Sequence, residues 1–167
     1  MDRVNKYFQG FPSQEKVAAL LIRYGICVKE GRAFCGEIEQ SDSAIGRAAG
    51  VDRRVVRSTL MRISSIPELD AIFSKLQSML SMVELAPEID CSSMVIVPTD
   101  AKMPGILASI TSTLYENGMS VRQAIVDDSG DREKSVLLVV VDGKIPPEVI
   151  PRLKSLSASV SIANDKM

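Results

Sequence analysis

The sequence predicts an α+β protein made of two parts of unlike character. Three observations carry that expectation. Over residues 93–167 the apolar spacing switches between two and about 3.6 in the order strand, helix, strand, strand, helix, strand. Over residues 1–66 helical spacing dominates and is interrupted by one short extended stretch. Charge divides in the same way: residues 1–80 hold 12 Lys or Arg and 9 Asp or Glu, a net of +3, while residues 81–167 hold 8 and 12, a net of −4, together the chain's −1.

The first amphipathic helix is expected to start near Ser13, where SQEK offers a capping start, and to carry Val17, Leu20, Leu21 and Tyr24 on its apolar face. Gly25 ends it. Ile26 to Val28 and Ala33 to Ile38, joined by KEGR, read as a β-hairpin. Ser41 is an N-cap for a helix through Ala44, Ile45, Ala48 and Ala49; Gly50 breaks it, and Val51 and Asp52 lead into a helix from Arg53 to Ile63. The small residues Gly46, Ala48 and Ala49 permit two helices to cross closely, with Gly50 as the left-handed residue of the turn. That is a helix-turn-helix pattern. In its second helix Val55, Val56, Leu60 and Ile63 face the core, leaving Arg53, Arg54, Arg57, Ser58 and Met61 outward.

Between Arg47 and Arg62 five arginines stand against one acid, Asp52. Like charges crowded on a short helix oppose its stability, so a polyanion is the expected partner, with Arg47, Arg53, Arg54, Arg57 and Ser58 as the candidate DNA-binding residues. A solvated charged face is the alternative. The hairpin either braces the helices or acts as a wing reaching the minor groove; its turn carries Lys29 and Arg32 but also Glu30.

The segment between the two parts, residues 67–92, predicts a connecting helix and linker. Leu69, Ile72, Phe73, Leu76, Met79, Leu80 and Val83 recur at three and four, a stripe about four turns long that the helical domain or the same helix of a second chain must cover. Pro87 and the polar residues to Ser93 mark the linker.

From Met94 to Pro98 a strand hands over to the loop TDAKMPGIL and a helix from Gly105 to Asn117, with Ile106, Leu107, Ile110 and Leu114 on one face and Gly118 as its stop. The N–H groups that a helix's first turn leaves unpaired make this a natural cradle for a small carboxylate. Val121 to Val126 and Val136 to Val141 form a second hairpin across the turn-rich DDSGDREK; Pro146 and Pro147 open a helix with Val149, Ile150, Leu153 and Leu156 inward, and Ser159 to Ala163 is the last strand. This β-α-β-β-α-β order gives a four-stranded antiparallel, ferredoxin-like sheet with two helices on one face.

Asp100 followed by Pro104, Gly105, Ile106 and Leu107, a helix, and then Gly118 to Val121 resembles the ACT domain, a small-molecule sensing module of amino-acid metabolism. Two extra residues separate Asp100 from Pro104, and Ser120 stands where asparagine is commonest in that family. Together with AIGRAAGVDRRVVR, VPTDAKMPGIL, RQAIVDD and PPEVIPRL, the arrangement resembles archaeal proteins described as regulators of amino-acid metabolism, with an N-terminal helix-turn-helix domain (1–66) and a C-terminal ACT domain (93–167). The resemblance implies a DNA-binding transcriptional regulator, at least a homodimer, that senses an amino acid or related small metabolite. By that analogy the loop of one copy, with Asp100, Lys102, Met103, Gly105, Ile106 and Leu107, meets Ser120, Arg122 and Gln123 of the next. The alternative is a regulatory subunit that docks on a biosynthetic enzyme without binding DNA.

An enzyme is not expected, since the chain has no histidine, no GxxxxGK loop and no cysteine with a plausible base nearby. No catalytic residue, cofactor or metal site is assigned. Cys27, Cys35 and Cys91 lack CxxC spacing and read as reduced thiols. No apolar stretch reaches the roughly 18 residues of a membrane span, and MDRVNKYFQG lacks the form of a signal peptide, so a cytoplasmic location is expected.

Overall fold

The computed structural model describes residues 2–127, 135–157 and 159–163 and divides the chain into two compact units, Met1–Leu80 and Ser81–Met167. In the first unit, α1 (Asp2–Asn5) and α2 (Pro12–Arg23) precede three short strands, β1 (Cys27–Lys29), β2 (Arg32–Cys35) and β3 (Ile38–Gln40), which form an antiparallel sheet in the order β1-β2-β3. Then come α3 (Asp42–Ala49), α4 (Arg53–Ser65) and α5 (Pro67–Phe73). Val17 and Leu21 of α2, Ile45 of α3, Val56, Leu60 and Ile63 of α4, and Leu69 and Phe73 of α5 close one core over Val28 and Ala33. Burying each large apolar side chain of this kind is worth about 1.5–3 kcal/mol.

Local chemistry sets the boundaries of α3 and α4. The Ser41 hydroxyl accepts the Ala44 N–H at 3.2 Å, and the Asp52 carboxylate accepts the Arg54 N–H at 2.8 Å, so each helix starts on a side-chain cap. Gly50 closes α3 in the left-handed conformation at φ +66°, and the Val51 N–H returns to the Gly46 carbonyl at 2.9 Å.

In the second unit a 3₁₀ turn (Ala86–Ile89) leads into β4 (Cys91–Val97), α6 (Ile106–Glu116), β5 (Val121–Asp127), β6 (Val136–Asp142), α7 (Val149–Ser155) and β7 (Ser159–Ala163). The strands pair antiparallel in the order β5-β6-β4-β7, with Met94 opposite Val139 and Ile162. Ile110 and Leu114 of α6 and Val149 and Leu153 of α7 cover Met94, Ile96, Leu137, Val139 and Val141 on one face. On the other face Val140 and Cys91 meet Ala86, with Met82 and Val83 packed against them.

Four expectations need correction. No single helix spans the stripe from Leu69 to Val83: α5 stops at Phe73. Leu69, Phe73 and Leu76 belong to the first core, whereas Met82 and Val83 pack on the second sheet and Met79 and Leu80 are exposed. Between them the Ser78 hydroxyl donates to the Tyr24 carbonyl at 2.6 Å, a contact that holds the chain against the end of α2 instead of continuing the helix. Second, the first hairpin has a third strand, because Gly36 at φ +61° turns the chain and Cys35 pairs with Ile38. Third, Ser13 lies inside α2, which starts at Pro12 with no side-chain cap. Last, β5 does not alternate cleanly: the register shifts between Val121 and Gln123, leaving Arg122 as a bulge. The turn DDSGDREK lies outside the described residues from position 128 onward.

Candidate functional site

Two places bring together residues singled out in the sequence. The first is the end of the second sheet where β4 leaves, β6 enters and α6 begins. The loop after β4 turns on Asp100, whose carboxylate accepts the Lys102 N–H at 2.9 Å and whose carbonyl accepts the Met103 N–H at 3.1 Å. Gly105 then occupies the N-cap of α6 at φ +89°, a conformation that L side chains rarely adopt, and supplies no side-chain cap to the helix. Its carbonyl accepts from Ser109 at 2.8 Å, so α6 is wound from its first residue with N–H groups directed toward the loop.

A cavity of about 220 Å³ opens beside this turn. Met103, Gly105, Ile106 and Leu107 line it from the loop and helix, as does Pro98 from the end of β4. The β5–β6 pair completes it with Val126 and Leu137, which are register partners. Among the described residues that line it, none is charged. Of the nine candidate ligand residues, these four are therefore brought to one hollow. Asp100 and Lys102 shape the loop without lining the cavity. Ser120, Arg122 and Gln123 lie toward the other end of β5 from Val126, where the Arg122 guanidinium pairs with Asp142 at 3.3 Å and the Gln123 side-chain oxygen accepts the Met82 N–H at 2.8 Å. Val126 and Leu137 were not singled out in the sequence, and only the pairing register of β5 with β6 brings them to the loop.

The second place is the outer face of α4. Arg47, Arg53, Arg54, Arg57 and Ser58 are all exposed. Arg47 and Arg53 border one hollow with Gly46, Gly50 and Asp52. Arg53, Arg54 and Arg57 border a second groove of about 590 Å³, shared with Arg32 of β2, Glu39 of β3, and Asp42 and Ser43 of α3. Arg57 is partly committed, since its Nη1 donates to the Gly31 carbonyl at 3.0 Å. Ser58 donates to Val55 at 2.9 Å and accepts from Gln14 at 3.2 Å. Arg62 belongs to the interior of the unit: its Nη2 donates to the Tyr7 carbonyl at 2.9 Å and its guanidinium lies 4.5 Å from the Phe11 ring centroid. Arg32 is the residue of this face left out of the candidate set, and its place in a hairpin turn beside Lys29 was the available signal.

Fold and sites together define a two-unit α+β protein with a largely apolar hollow in one unit and an arginine-rich groove in the other. Residues 102–158 match the family model of the ACT domain, a segment that holds the cavity's Met103 to Leu107, Val126 and Leu137. No curated protein sequence matches the chain. Among solved structures, the leucine response regulatory protein of Mycobacterium tuberculosis aligns over 93% of this chain and 92% of its own at 13% identity, with a TM-score of 0.28. An AsnC family transcriptional regulator from Agrobacterium tumefaciens aligns over 90% of this chain and 86% of its own at 14% identity and a TM-score of 0.30. Among the described residues no helix is long and apolar enough to cross a membrane, and no cluster of potential metal ligands occurs.

Proposed function

We propose that the chain is a ligand-responsive, DNA-binding transcriptional regulator of amino-acid metabolism. In this reading residues 41–65 are a helix-turn-helix and the second unit is a ferredoxin-like sensor, working in a homodimer. The observation that carries it is the apolar cavity beside the α6 N-terminus, built largely by the segment that matches the ACT domain. The unpaired N–H groups of a first helical turn suit a carboxylate, and the apolar lining suits an aliphatic side chain. Ser120, Arg122 and Gln123 are assigned to the neighbouring copy's share of the site, with Asp100 and Lys102 setting the loop. A ligand between two copies changes how they sit together, and with it the spacing of the two recognition helices on DNA.

Thermal unfolding of the full chain with L-leucine, L-isoleucine and L-valine, against L-aspartate and L-lysine, tests the sensor. A bound amino acid at 100 times its Kd adds about 2.7 kcal/mol to stability, which for a chain of this size is a rise in Tm of roughly 5–10 °C. A rise with an aliphatic amino acid and none with the charged ones is expected. Equal, negligible shifts with all five would overturn the sensing reading.

A further inference from the structure

The arginines of α4 share their groove with a residue of the three-stranded sheet. We propose that Arg32 of β2 contacts the phosphate backbone of duplex DNA alongside Arg53 and Arg54, and that the β1–β2 turn is a wing locked to α4. This rests on the DNA-binding reading above and adds to it a contact from outside the helix pair.

The turn is fastened at two points. The Gly31 N–H donates to the Ser64 hydroxyl at 2.9 Å, and the Gly31 carbonyl accepts Nη1 of Arg57 at 3.0 Å. Ser64 and Arg57 are seven residues apart on α4, two helical turns, so they lie on one face and hold the two peptide groups flanking Gly31 from two levels. Gly31 is at φ +72°, and a Cβ there would stand 2.7 Å from the Met61 sulfur, so the turn passes close over the helix. Held there, β2 begins with Arg32, which lines the groove with Arg53, Arg54 and Arg57.

Arg32 is available for such a contact. Its side chain is 61% exposed, and its partner Glu39 stands at 3.6 Å with 54% exposure. Exposed pairs of this kind contribute little to stability, so a phosphate can replace the carboxylate readily. Arg57, by contrast, has one of its donors on Gly31, which makes it a positioning residue for the turn as much as a contact. Glu39 and Asp42 also border the groove, Glu39 beside Arg32 itself, so a duplex must approach with its backbone toward the α4 arginines and displace Glu39 from Arg32.

The test is fluorescence anisotropy of the full chain on a mixed-sequence duplex of roughly 25 bp, long enough for two half-sites, across about 50–200 mM salt. Arg32→Ala is expected to bind about tenfold more weakly, with the slope of log K against log salt reduced by about 0.9 per chain bound and an unchanged Tm. Arg32→Lys should keep most of the slope. Glu39→Gln, which releases Arg32, should bind about two- to fivefold more tightly. Wild-type affinity and slope in Arg32→Ala, alongside weakened Arg53→Ala and Arg54→Ala, would overturn the wing contact and leave the DNA reading standing. A wild-type protein that ignores the duplex, or prefers single-stranded RNA of the same length, would overturn both. Should Arg32→Ala melt early, Arg32→Gln supplies the same comparison with the side chain's length retained.

Discussion

Gly46 is the position where helix propensity and helix crossing make opposite demands, and Gly46→Ala therefore tests how α3 and α4 are held. Alanine within a helix is favoured over glycine by about 1 kcal/mol, so propensity alone predicts a gain. The structure predicts a loss. A Cβ on Gly46 would stand 2.8 Å from the Val51 carbonyl oxygen, 3.4 Å from the Arg53 nitrogen and 3.6 Å from the Arg53 Cα. Bringing the first contact to an ordinary 3.4 Å needs a displacement of about 0.6 Å, by backbone that has no flexible end to give. That backbone carries the Val51 to Gly46 hydrogen bond at 2.9 Å and the first residue of α4. Overpacking of this kind costs about 1–3 kcal/mol; set against propensity, the net loss is about 1 kcal/mol. Urea unfolding followed by circular dichroism measures it. Gly50→Ala is the companion variant: at φ +66° it meets only the left-handed penalty of about 1–2 kcal/mol, with nothing within 4 Å of its Cβ. Because Gly46→Ala also shifts Arg53, it should weaken duplex binding more than Gly50→Ala does for a similar loss of stability. A Gly46→Ala protein more stable than wild type would show that the crossing has room, and the argument would fail.

Replacing Arg53 and Arg54 together with alanine should lower the salt slope of duplex binding by about 1.8 per chain bound, two contacts at about 0.9 each, while the Tm holds or rises as like charges are removed; an unchanged slope in an anisotropy titration would assign these arginines another role. Leu107→Glu places a carboxylate on the apolar lining at a position already 42% exposed, so the Tm should stay near wild type while the thermal shift with aliphatic amino acids disappears. A retained shift would move the ligand elsewhere. Gly25→Ala should destabilise the first unit by about 2 kcal/mol or more, since its Cβ would lie 2.3 Å from the Gln77 carbonyl oxygen at φ +61°; near-wild-type urea unfolding would show that residues 77–78 leave that position easily. Light scattering at micromolar concentration should report at least a dimer, because β5 is an unpaired sheet edge with Val121 and Val126 exposed, and a monomer would remove the shared site.

Signals that act within a few residues were legible in the sequence. Ser41 caps the helix it was expected to cap, Gly50 turns after it in the left-handed region, and Asp52, expected only to lead into the next helix, caps that helix through its own carboxylate. Each of these depends on a side chain bonding its own neighbouring backbone or on a φ that glycine adopts freely, and such preferences survive in any tertiary setting. The stripe from Leu69 to Val83 shows where that kind of inference ends. Its spacing of three and four states only that the residues seek cover, and separate cores supply it, Leu69 and Phe73 in one and Val83 in the other, so the helix stops at Phe73. The sites divide in the same way. Pro104 and Gly105 mark a strand-to-helix turn in sequence, but the cavity exists because β5–β6 register carries Val126 and Leu137 to that turn. Arginines at 53, 54 and 57 mark a charged helix face, but that Arg57 holds Gly31 and that Arg32 shares the groove follow from contacts 26 and more than 20 residues apart along the chain. Local backbone preference is written residue by residue; which distant groups share a hollow is decided only when the two cores close.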